Sequence, residues 1–110
     1  MHMDHKTVED YVLSMPNARL DYPFGESVAV YKVDDKMFAL IAEGKEPVNL
    51  SLKADPELSK VLREKYETVL PGYHLNKKHW NTIVLSGQLS WPEVQDLIRH
   101  SYDLVANNSK

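Results

Sequence analysis

The sequence predicts an α+β domain, an antiparallel sheet with helices packed on one face. Three observations carry this reading. Apolar residues recur at 3.6-residue spacing near both ends of the chain and once in its middle. Between the first two of these stretches the period drops to two. The alternating runs are joined by links too short for parallel crossovers, so consecutive strands must form an antiparallel meander.

The first helix spans Asp4 to Met15. Val8, Tyr11, Val12 and Met15 form its apolar stripe, Asp4 or Thr7 can cap it, and Pro16-Asn17 ends it. Ala18 to Glu26 reads as a turn-rich loop, in which Tyr22 and Phe24 are expected to anchor to the core around Pro23 and Gly25. From Ser27, Val28 and Val30 alternate with Ala29, Tyr31 and Val33. Asp34-Asp35-Lys36 makes a hairpin turn, and Met37 to Ala42 is the return strand. After a second turn at 43–47 comes a third strand, with Val48, Leu50 and Leu52 on one face and Asn49 and Ser51 on the other.

Asp55-Pro56-Glu57 is a strong helix start: a capping Asp, Pro at the first position and an acid in the first turn. Leu58, Val61, Leu62 and Tyr66 supply the stripe, and Lys60, Arg63, Glu64, Lys65 and Glu67 are assigned to the solvated side. Thr68 to Leu70 is extended and Pro71-Gly72 turns the chain. A β-forming run from Asn81 to Ser86 ends at Gly87. Ser90-Trp91-Pro92-Glu93 is a capping box opening the last helix, built on Val94, Leu97, Ile98, Ser101, Leu104 and Val105. The polar tail from Asn107 to Lys110 is expected to fray.

Composition limits what this domain does. The 110 residues make one domain, 1–110, able to bury roughly two-thirds of its unfolded surface without staples. There is no cysteine, hence no disulfide, thiol nucleophile or cysteine-based metal site. No apolar run approaches the roughly 20 residues of a membrane span, and the first ten residues lack the apolar core of a signal peptide. A cytoplasmic protein with no membrane partner is the expectation. Net charge is −3. Residues 1–52 carry five Lys/Arg against nine Asp/Glu, and residues 53–110 eight against seven, so an anion-binding face belongs to the second half.

One stretch stands apart. Between Pro71 and Leu85 the chain packs His74, Asn76, Lys77, Lys78, His79, Trp80 and Asn81 into eight positions. His74 and His79 have no Asp or Glu nearby in sequence, so metal binding is poorly supported and no cofactor is expected. Nucleophile-elbow and phosphate-loop motifs are absent, and none of the four glycines falls in a Gly-x-Gly arrangement. Binding remains. Lysines suit phosphates, the histidines and amides supply donors, and Tyr73 and Trp80 supply planar faces, the mixture found at nucleic-acid contacts. The same composition also suits a well-satisfied turn whose aromatic residues reach the core.

At Pro71-Gly72-Tyr73-His74-Leu75-Asn76-Lys77-Lys78-His79-Trp80-Asn81-Thr82-Ile83 the sequence resembles the MmcQ/YjbR-like family of small bacterial proteins. Asp21-Tyr22-Pro23-Phe24-Gly25, Lys36-Met37-Phe38-Ala39-Leu40, the run from Val48 to Leu58 and that from His100 to Val105 support the match in the same order along the chain. The resemblance implies a CyaY/frataxin-like α+β fold, no established enzyme activity, and DNA contact through a double-wing arrangement. Iron binding is not carried over, because Glu9 and Asp10 do not extend into an acidic ridge. The expected function is a non-enzymatic binding domain that touches DNA weakly and salt-sensitively. Lys53, His74, Asn76, Lys77, Lys78, His79 and Trp80 would form the surface, with Trp80 supporting the loop from below. The alternative is a small-molecule or protein-partner module with residues 71–81 as a pocket wall.

Overall fold

The computed structural model describes residues 3–72 and 75–107. Nine elements follow in chain order: α1 (His5–Leu13), β1 (Arg19–Asp21), β2 (Val28–Val33), β3 (Lys36–Ala42), β4 (Asn49–Lys53), α2 (Pro56–Lys65), β5 (Val69–Pro71), β6 (Trp80–Val84) and α3 (Trp91–Asn107). The six strands form one sheet in the order β1-β2-β3-β4-β6-β5. Every pairing is antiparallel. The α+β class expected from the sequence is the observed one.

The start signals act as their chemistry dictates. Asp4 caps α1, its carboxylate accepting from the Thr7 amide at 2.8 Å. Asp55 caps α2 the same way through Glu57 N at 2.9 Å, with Pro56 needing no amide partner. At α3 the capping box is reciprocal: Ser90 Oγ accepts from Glu93 N at 3.3 Å, and Glu93 Oε1 accepts from Ser90 N at 3.0 Å. The β2–β3 hairpin turns on Asp34 and Asp35, both at positive φ (51° and 62°), as a tight two-residue turn requires.

Strand alternation sorts residues between two apolar clusters. Facing the helices, Tyr31, Phe38, Ile41, Leu50 and Ile83 pack with Val8 and Val12 of α1 and Val94, Ile98 and Val105 of α3. On the other face, Val30, Leu40 and Trp80 form a second cluster, with Val28, Met37 and Leu75 against it. A bulge interrupts the β2–β3 pairing. Tyr31 pairs with Ala39 and Lys32 with Met37, which leaves Phe38 without a strand partner. On its other side β3 stops pairing with β4 beyond Ala39 and Leu52, and there Ser101 of α3 bridges the two strands: its hydroxyl donates to the Phe38 carbonyl at 2.5 Å and accepts from Lys53 N at 2.9 Å. One buried serine thus satisfies both backbone groups where the ladder opens.

Three local expectations need correction. Residues 19–21 are a short edge strand rather than loop. Tyr22 and Phe24 do not anchor to the core; they are 41% and 59% exposed, and the Tyr22 hydroxyl donates to Glu43 Oε2 at 2.8 Å instead of turning inward. Finally, α2 packs against the far edge at β5, so only part of its stripe finds cover. Leu58, Leu62 and Tyr66 are half-buried, while Val61 is exposed. Arg63, assigned to the solvated side, turns inward instead.

Candidate functional site

The link from β5 to β6 carries the polar cluster and is closed by backbone chemistry. Gly72 N donates to Trp80 O at 2.8 Å across its neck. The approach is close enough that a Cβ on Gly72 would lie 2.8 Å from Trp80 Cβ, so only glycine fits without displacement. Beyond the neck, Asn76 organises a turn. Its side-chain oxygen accepts from Lys78 N at 3.0 Å, and its carbonyl accepts from His79 N at 3.2 Å and Trp80 N at 2.9 Å. The His79 carbonyl then accepts from Ala54 N at 2.7 Å, fastening the turn to the end of β4.

Arg63 holds this turn from α2. Its Nε donates to Asn81 Oδ1 at 2.7 Å, and its Nη2 donates to Trp80 O at 3.0 Å and to Lys77 O. Asn81 in turn donates to Ser59 Oγ at 2.9 Å, and both residues are buried. The planar guanidinium suits this task because it reaches several acceptors in one fixed fork. Sequence reasoning missed it. The available signal was Ser59 and Arg63 four apart, a small polar residue and a cation on one helical face beside Leu62.

The candidate residues therefore divide. Lys77 and Lys78 are exposed on the turn, and among the described residues neither side chain makes an ion pair. Asn76 is exposed, with its side-chain oxygen engaged in the turn. His79 is half-buried and contributes its carbonyl. Lys53 pairs directly across from Trp80 in the β4–β6 ladder and is half-buried on the sheet face away from the helices. Trp80, only 7% exposed, packs with Val30 and Leu40 and supports the turn without presenting an open ring face. His74 lies outside the described residues.

The chemistry open to such a site is limited. Among the described residues no group of three or more His, Cys, Asp or Glu side chains is arranged to hold a metal ion. A crevice lined by Leu52, Lys53, Ala54, Leu62, Asn81, Ile83 and Leu97 encloses about 10 Å³. That is room for about one water, against the roughly 300–1,000 Å³ of a small-molecule site. No helix among the described residues is long and apolar enough to cross a membrane.

The family model described as YjbR matches residues 13–104, a span running from the end of α1 through most of α3. The chain belongs to the YjbR family. Among its YjbR relatives, the uncharacterized protein YbdF of Escherichia coli O157:H7 is 35% identical over 103 residues, covering 94% of this chain and 84% of its own length. The uncharacterized protein YjbR of Escherichia coli K12 is 34% identical over 97 residues, 88% of this chain and 82% of its own. The crystal structure of protein DR2400 from Deinococcus radiodurans superposes with a TM-score of 0.93 at 33% identity, over 99% of this chain and 83% of that one. The fold of this chain is thus shared with an experimentally determined structure.

Proposed function

We propose that this YjbR-family chain is a non-enzymatic, cytoplasmic binding domain that contacts the DNA backbone through the 76–78 turn, with Lys53 beside it. One observation carries the reading. Lys77 and Lys78 stand exposed on a turn whose backbone is fixed by Asn76, Gly72 and Arg63. Holding two cations on an ordered turn lowers the conformational cost of placing them against phosphates. Sequence readout is not built into such a site: lysines neutralise phosphates, and Trp80 is packed away from any base. The acidic remainder of the chain restricts contact to this region and keeps affinity modest.

Fluorescence anisotropy with a short labelled duplex at low salt tests this. With two or three phosphate contacts, log K is expected to fall against log salt with a slope of about −2 to −3. Lys77→Ala with Lys78→Ala should abolish most of the binding. An unchanged curve for the double variant would remove this surface from consideration.

A further inference from the structure

We propose that β1 is a self-association edge, on which a second copy of this chain adds its own β1 antiparallel about Leu20. β1 ends the sheet, and all three of its residues are exposed, so among the described residues the backbone groups on its outer side have no strand opposite. The other end of the sheet is blunted. β5 closes on Pro71, which has no N–H to give. β1 contains no proline. Apolar surface also gathers on this edge: Leu20, Tyr22 and Phe24, each at least 40% exposed, fall within five consecutive residues.

The charges on β1 select a second copy as the occupant. In a two-fold antiparallel pair centred on Leu20, Arg19 faces Asp21 of the other copy, Asp21 faces its Arg19, and Leu20 meets Leu20. The strand is its own electrostatic complement. Continued one step, the register sets Tyr22 opposite Ala18 of the second copy. Within one chain, Arg19 reaches Asp35 at 3.4 Å and Asp21 reaches Lys32 at 3.2 Å. Arg19, Asp35 and Asp21 are well exposed, so both pairs are weak in water and give way to an intermolecular partner at little cost. Three residues of pairing make a small interface, which places the dimer among weak, concentration-dependent associations.

Sedimentation velocity on the full chain, from about 10 µM to about 1 mM, tests this. The sedimentation coefficient is expected to rise with concentration toward that of a dimer. Arg19→Asp alone and Asp21→Arg alone each set like charges opposite one another and should weaken association at least about tenfold. The double variant should restore it. An equimolar mixture of the two single variants should associate as well as the unaltered chain, because each supplies the charges the other lacks. Circular dichroism melts matching the unaltered chain confirm that these exposed changes leave the fold intact. For a variant that fails this check, line broadening of the 19–24 amides in the unaltered chain on concentration replaces it as the readout. A monomer throughout, association indifferent to both reversals, or broadening elsewhere would overturn the proposal.

Discussion

Arg63 and Asn81 meet at 2.7 Å, guanidinium Nε to amide Oδ1, and this contact joins α2 to the second residue of β6. The same guanidinium reaches the carbonyls of Trp80 and Lys77, so one side chain couples a helix, a strand and the exposed turn between strands. Removing it would leave the oxygen of a buried asparagine unpaired. Arg63→Ala is therefore expected to cost about 2–4 kcal/mol, measured by urea denaturation, since bonds to a charged donor are worth about 1.5–3 kcal/mol each and the orphaned acceptor adds to the loss. Arg63→Lys should recover only part of this, because an ammonium cannot reproduce the fork. Full recovery by lysine would show that charge, not geometry, matters here.

A steric prediction follows at the neck of the turn. Gly72 is buried, and a Cβ there would approach Trp80 Cβ to 2.8 Å and its backbone carbon and oxygen to 3.2 Å. Backbone atoms cannot swing aside as a side-chain end does. Gly72→Ala should lower stability by about 1–3 kcal/mol in a urea melt, the usual cost of forcing atoms into a packed site. A neutral result would mean that the neck opens freely and that the turn is not held as described.

Much of the fold was legible because its signals are local. Asp55-Pro56, Ser90 with Glu93, and Asp34-Asp35 each mark an element boundary within four residues, and all three do so in the structure. Two kinds of feature escaped. β1 is too short to show alternation, and its flanking Pro16-Asn17 and Pro23-Gly25 read as loop. Arg63 escaped because an amphipathic template assigns any cation to water, and its acceptors lie 14 to 18 residues away, set by the pairing of β4 with β6 rather than by spacing. For the candidate site, the sequence located the lysines and the supporting role of Trp80, but not the residue that holds the turn still.

The packing of α1 gives a third expectation. The buried Tyr31 donates its hydroxyl to Glu9 Oε2 at 2.5 Å, and burial and the neighbouring Glu9 push the phenol well above its usual range. Glu9 also stands 3.6 Å from His5 Nε2, whose other ring nitrogen is 3.6 Å from Glu43. Tyr31→Phe keeps the ring but deletes the bond to the carboxylate. A loss of about 1–2 kcal/mol is expected in thermal or urea unfolding, near the lower end for charged acceptors because Glu9 remains partly solvated. A variant as stable as the parent would assign α1 docking to Val8, Tyr11 and Val12 without the Glu9 contact.

The start of α3 gives a pH dependence. The Ser90 amide first, then the Tyr66 hydroxyl at 2.9 Å, hold the Glu93 carboxyl below the ordinary glutamate range. A carboxyl depressed by folding contributes stability that is present above its unfolded value and lost as pH falls through the folded one. In unfolding titrations, Glu93→Gln should lower stability at neutral pH and converge on the parent in acid, so that this part of the profile flattens. An unaltered acid limb would show that the capping box carries no ionic component.

The most direct measurement is a ¹⁵N–¹H NMR titration of the chain with a short DNA duplex at low salt. Amides of residues 76–79 and Lys53 are expected to shift first and together, with the shifts suppressed as salt is raised and absent in the Lys77→Ala, Lys78→Ala variant. Shifts confined to other surfaces, or no shift at all with the turn intact, would contradict a DNA-binding role for it.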